Sequence, residues 1–112
     1  MAKLVRDNIP EIIKKSGSKP NFFYLEKDNE QVRELLFNKL QEEVEEAFNA
    51  KDDFHLVEEL ADIYEVLLSI CHHIGLSDNT FVDIANIKRH TNGSFKDLAI
   101  LVGVVPPIKE GE

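Results

Sequence analysis

Between residues 29 and 74 the apolar positions recur every three or four residues, the spacing of one face of an α-helix, in two long runs separated by a polar break. The first run predicts a helix over about 29–50, and Asp28 followed by Gln31 has the form of a capping box. Lys51-Asp52-Asp53 then turns the chain, and either aspartate can cap a second helix over 54–74 that stops at Gly75. A connection this short makes the pair an antiparallel hairpin. Upstream, Ile9, Ile12 and Ile13 predict a short helix over 7–16, with Pro10 in its first turn and Gly17 as its stop. Ser18-Lys19-Pro20 breaks the chain, and Phe22, Phe23 and Tyr24 fall on an extended arm that packs on something or stacks a base. Downstream, Ser77 or Asp78 opens a fourth helix with Phe81, Ile84, Ala85 and Lys88 on one face, ending near Asn92-Gly93. Residues 95–105 are apolar and β-branched, which reads as a mixed helix or extended arm, followed by Pro106-Pro107 and a tail expected to fray after about 105. With no repeat and no low-complexity linker, the expectation is one all-α domain over 1–112, a helical bundle built around the hairpin.

Helical wheels sharpen this pattern. With Val32 at 0°, Leu36, Leu40, Ala47, Val44, Phe37 and Phe48 fall between about 40° and 160° on the first long helix. Glu43 lands near 20°, inside that stripe where a leucine is expected, and Glu46 near 320° on its margin, whereas Glu45 near 220° points to solvent. On the second long helix the apolar arc is roughly 220° wide, with Glu59 inside it between Val66 and Ile70 and Asp62 on the adjoining polar edge. So broad an arc suits a helix buried against several neighbours, and the core is therefore expected to be completed by dimerisation.

The register of the hairpin brings the acids together. Glu43 and Glu46 lie six and three residues before Asn49, and Glu59 and Asp62 six and nine after Asp53. At about 1.5 Å rise per residue all four fall within roughly 10 Å along the bundle axis, on helices about 8–10 Å apart. Four carboxylates in a partly apolar site cannot all stay ionised without a counter-charge, and a hard divalent cation such as Mg²⁺ supplies one through oxygen ligands. Taken alone, the run Gln41 to Glu46 is an ordinary solvated face; the second cluster at matching depth is what favours a metal. A di-iron bundle would use Glu-x-x-His, and no glutamate here has a histidine three residues on. His55, His72, His73 and His90 read as helix-end or surface residues, and Cys71, in the apolar arc, as a packing residue.

Charge narrows the choice of partner. Thirteen Lys+Arg against 21 Asp+Glu leave a net charge of −8, which repels polymeric nucleic acid. A lone cysteine forms no intrachain disulfide, and the segment around Lys3 to Asp7 lacks the apolar core of a signal peptide. The longest apolar stretches, 66–71 and 99–105, are far short of the roughly 20 residues that cross a membrane. A cytoplasmic location with no membrane partner is expected.

Three motifs then occur in order. Lys39-Leu40-Gln41 precedes an EExxE element, Glu42-Glu43-Val44-Glu45-Glu46, and Glu59-Leu60-Ala61-Asp62 supplies an ExxD element. Together they resemble the MazG-like, all-α nucleoside triphosphate pyrophosphohydrolase superfamily. The opening Lys3-Leu4-Val5-Arg6-Asp7-Asn8-Ile9-Pro10-Glu11 is similar to its phosphoribosyl-ATP pyrophosphohydrolase-like branch, and the resemblance runs from Lys3 to about Leu101. It implies an enzyme using Mg²⁺, with Mn²⁺ as an alternative, that cleaves a nucleotide between its α- and β-phosphates and works as a homodimer or dimer of dimers. It also implies that Glu43, Glu46, Glu59 and Asp62 hold the metal, with Glu42 either the catalytic base for the attacking water or a residue standing behind the ligands. Lys39, Lys3, Arg6 and Lys88 are the expected phosphate contacts, although Lys39 could equally serve as an i,i+4 partner of Glu43. One segment departs from the branch: its usual K-x-x-x-R-G-G-F reads Lys88-Arg89-His90-Thr91-Asn92-Gly93-Ser94-Phe95, with Asn92 for the arginine and Ser94 for the second glycine. The competing expectation is a non-catalytic helical dimer that binds a nucleotide, a metal or a protein partner on the same scaffold.

Overall fold

Helix α1 spans Ile9–Lys15, α2 Val32–Phe48, α3 Asp53–His73 and α4 Asp78–Asn92 in the computed structural model. It describes residues 2–109 and Gly111; among these there is no strand, and part of the expected frayed tail lies outside the described residues. The protein is all-α, as the periodicity predicts.

The start of α3 is set by Asp52, whose extended backbone (φ −156°, ψ 174°) lets its carboxylate accept the His55 backbone N–H. That bond measures 2.8 Å, and the His55 ring Nδ1 lies 2.7 Å from the same oxygen. These two contacts hold the Asp52 carboxyl below its usual pKa. At the other end Gly75 adopts φ +84°, and the Leu76 N–H returns 2.8 Å to the Cys71 carbonyl, closing the helix with a left-handed cap. Ser77 then caps α4 by accepting the Thr80 N–H at 3.2 Å.

The start of α2 differs from expectation. Its N-cap is Gln31, with no side-chain cap, so the anticipated capping box from Asp28 does not form and the helix begins at Val32 rather than about 29. Local turns capture those residues first: the Glu26 carbonyl accepts the Asn29 N–H at 3.0 Å, and Asn29 Oδ1 accepts the Gln31 N–H at 2.8 Å. The far end stops at Phe48, two residues early, where the Asn49 side-chain amide donates to the Glu45 carbonyl at 3.0 Å.

Helices α2 and α3 pack against each other as the hairpin. Leu36 and Ala47 of α2 and Val66, Leu68 and Cys71 of α3 are buried, but none of the described residues is fully buried, so the core is thin. Much of the broad apolar arc of α3 is uncovered, with Phe54 64%, Val57 63% and Leu60 49% exposed. On α2, Phe37, Leu40, Val44 and Phe48 line an open apolar groove of about 590 Å³. The chain divides into two compact units at Phe81 and Val82. In the second, residues 93–109 form no helix or strand, so no helix forms in that segment; instead a turn brings the Leu98 N–H 3.2 Å from the Phe95 carbonyl. No helix among the described residues is long and apolar enough to cross a membrane.

Candidate metal centre

Glu43 and Glu46 sit three apart on α2, so their side chains project from one face, and the antiparallel turn at 49–52 brings Glu59 of α3 opposite them. One carboxylate oxygen from each of the three lies within 4.8 Å of the others. Their surroundings differ: Glu43 is 6% exposed, Glu59 is half-buried and Glu46 faces solvent. Glu43 Oε2 and Glu59 Oε2 are both shielded from solvent and have no hydrogen-bond partner. An ionised oxygen in that condition is costly, so these carboxylates demand either a proton or a cation. Burial, reinforced by the adjacent Glu43 and Glu46 carboxylates, pushes the Glu59 carboxyl up to about 7.

One cation, Lys39, already attends the cluster, and a second, Arg6, pairs with the acid beside it. Lys39, one turn before Glu43, donates to Glu42 Oε1 at 3.3 Å and lies 3.3 Å from Glu43 Oε1. Burial alone would lower its pKa, yet its bonds to Glu42 and Glu43 and their charges win, and the ammonium sits above the ordinary lysine value. Arg6, from the segment before α1, reaches Asp62 Oδ1 at 2.6 Å. Asp62, expected alongside the glutamates, is therefore engaged by Arg6 and falls outside the set of three.

A groove of about 950 Å³ runs over this region, floored by Leu36 and Val66 and bordered by Lys3, Arg6, Lys39, Glu43 and Asp62. Three of the four expected phosphate contacts, Lys3, Arg6 and Lys39, thus share one groove with two of the expected metal ligands. Glu42 is not among the lining residues but is held by Lys39, which is. Lys88 lies on α4 in the second unit, with its side chain exposed. The wheels did not reveal the Arg6 to Asp62 pair, nor Glu65 and Ser69 on the groove wall, because no periodicity links an N-terminal arm to one face of α3. On the aromatic arm Phe22 meets Tyr24 edge to face at 5.5 Å, and Lys14 Nζ of α1 lies 5.9 Å from the Phe22 ring.

The donor set is all carboxylate oxygen, which suits a hard divalent cation and not a soft one. The two orphaned buried oxygens are the positions such an ion would satisfy.

A helical hairpin carrying a clustered glutamate site, with Glu43 in a groove that Lys3, Arg6 and Lys39 also line, defines the class: an all-α protein with a carboxylate centre. Residues 5–89 match the family model for phosphoribosyl-ATP pyrophosphohydrolase, and the chain belongs to that family. It is a family of divalent-metal-dependent nucleotide pyrophosphohydrolases. The match takes in Arg6, Lys39, the clustered glutamates and Asp62, and it ends before Asn92 and Ser94, where the sequence departs from the branch. No curated protein and no solved structure matches the chain.

Proposed function

We propose that this protein hydrolyses the anhydride between the α- and β-phosphates of a (deoxy)nucleoside triphosphate or related nucleotide, releasing the monophosphate and pyrophosphate. The observation that carries this reading is the pair of buried, unpartnered oxygens on Glu43 and Glu59 within a three-glutamate cluster. Glu43, Glu46 and Glu59 hold Mg²⁺, or Mn²⁺ in its place, with Asp62 as a further ligand. A bound ion of this kind offsets phosphate charge and makes a coordinated water more acidic.

The chain's own groups do the rest. Water adds to one phosphorus of the anhydride while the bridging oxygen leaves with the other, so the protein must align the reactants and take up a proton. Glu42 is the base: its side chain is 39% exposed and Lys39 fixes its position beside the cluster. Lys3, Arg6 and Lys39 donate to phosphate oxygens along the groove. The uncovered apolar surface of α2 and α3 supports a homodimer, or a dimer of dimers, acting on a free nucleotide in the cytoplasm.

Pyrophosphate release from a panel of nucleoside triphosphates and phosphoribosyl-ATP, with and without Mg²⁺, tests the proposal. Glu43→Gln and Glu59→Gln should each lose orders of magnitude in turnover while staying folded. Unchanged turnover in both overturns it, and nucleotide binding without pyrophosphate release favours the non-catalytic helical dimer.

A further inference from the structure

The short contact between Arg6 and Asp62 joins two residues with opposite tasks: one is a cation suited to phosphate, the other an acid one turn from Glu59. Both side chains are substantially exposed, at 54% and 39%, and ion pairs so open to water are weakly held. Arg6 belongs to a segment outside any helix, yet its carbonyl accepts the Ile9 N–H at 3.0 Å and anchors the start of α1. Its backbone is therefore fixed while its side chain can re-aim within the groove it shares with Lys3 and Lys39. A guanidinium fork matches two phosphate oxygens better than it matches the single aspartate oxygen it meets here.

We propose that Arg6 is a phosphate-binding residue with two successive partners. It neutralises Asp62 while the glutamate cluster lacks a cation, and it passes to the phosphate oxygens of the nucleotide or pyrophosphate once a divalent cation draws Asp62 toward Glu59. This rests on the metal-binding reading of the cluster. Arg6 thereby competes with the metal and assists the substrate, two effects of opposite sign. A residue that merely staples the N-terminal arm to α3 would influence both in the same direction.

The test is calorimetry on the full chain, titrating Mn²⁺ and then, at saturating Mn²⁺, inorganic pyrophosphate. Arg6→Gln should bind Mn²⁺ several-fold more tightly and pyrophosphate at least tenfold more weakly. Arg6→Lys, which keeps the charge but loses the fork, should leave Mn²⁺ affinity near wild type and still weaken pyrophosphate. The NMR signal of the Arg6 guanidinium should move on addition of Mg²⁺ alone and again on addition of pyrophosphate. If wild type binds Mn²⁺ and Arg6→Gln leaves both affinities unchanged, or weakens both, the exchange is overturned while the metal site stands. If wild type binds no divalent cation, the metal reading falls, and the exchange with it.

Discussion

Lys39 Nζ lies 3.3 Å from Glu43 Oε1, one helical turn away, and of the two Glu43 oxygens the ammonium meets only that one, leaving Glu43 Oε2 buried and without a partner. Half of the carboxylate is compensated by the chain and half is not. Such an arrangement does little for the stability of a hairpin, where a leucine at position 43 would extend the apolar stripe. It makes sense for a group kept ready to meet something else. Glu59 Oε2, buried and unpartnered on the facing helix, is in the same condition.

The first prediction concerns the trade between folding and binding at Glu43. Without divalent cations, Glu43→Gln should be as stable as wild type or more so, because it removes charge from a site crowded with carboxylates. With Mg²⁺ at about 100 times its dissociation constant, wild type should gain about 2.7 kcal/mol by linkage. Glu43→Gln should gain little or nothing. Thermal unfolding of both proteins, with EDTA and with Mg²⁺, reads the crossover.

The second follows from Glu59, whose carboxyl is raised to about 7 in the fold against an ordinary value of 4.5. Between those values the folded state binds more protons than the unfolded state, so this group's contribution falls as pH rises from about 4.5 through 7. Metal-free protein should accordingly melt lower at pH 7.5 than at pH 5.5, and Glu59→Gln should flatten that slope. Divalent cation should abolish the difference and, near pH 6.5, should release a proton on binding. Calorimetry in two buffers of different ionisation enthalpy measures that proton.

The third uses Asp52, where the sign is reversed. Its carboxyl is held below its ordinary value of 3.8 by the His55 backbone and side chain, so the stabilisation is present above that value and is lost as pH falls through the lowered one. Asp52→Ala should remove the α3 cap and lower the melting temperature by several degrees at neutral pH. Because α3 carries Glu59, metal affinity should weaken as well. Asp52→Ser, which can still accept the His55 N–H, should recover most of the loss in both measurements.

The helices and the three clustered glutamates were legible in the sequence because both depend on a period and a register. A repeat near 3.6 places Glu43 inside an apolar stripe, and a four-residue turn fixes which residues of α3 face it. The start of α2 was missed because Asn29 and Gln31 satisfy each other locally, a competition that a capping-box motif does not reveal. The hairpin register groups Asp62 with the glutamates, but it carries no sign of the cation that meets this acid. Its observed partner, Arg6, lies 56 residues away on a segment with no periodicity of its own. Contacts between an irregular arm and a helix come from tertiary packing, and no local pattern encodes them.

The last prediction concerns the uncovered apolar surface. Phe48 is 89% exposed, and with Phe37 and Val44 it lines a groove that is almost wholly apolar, while Phe54, Val57 and Leu60 leave the nearby face of α3 open. A monomer that shows this much aromatic and aliphatic surface beside a thin core is unstable toward association, since burying apolar area stabilises by about 25 cal/mol per Å². Wild type should therefore run at twice the chain mass or a higher even multiple in light scattering. Phe48→Glu, which places a charge on that surface without touching the glutamate cluster, should shift the mass toward one chain and lower the melting temperature. If the variant keeps the wild-type mass and stability, this face is not where the subunits meet.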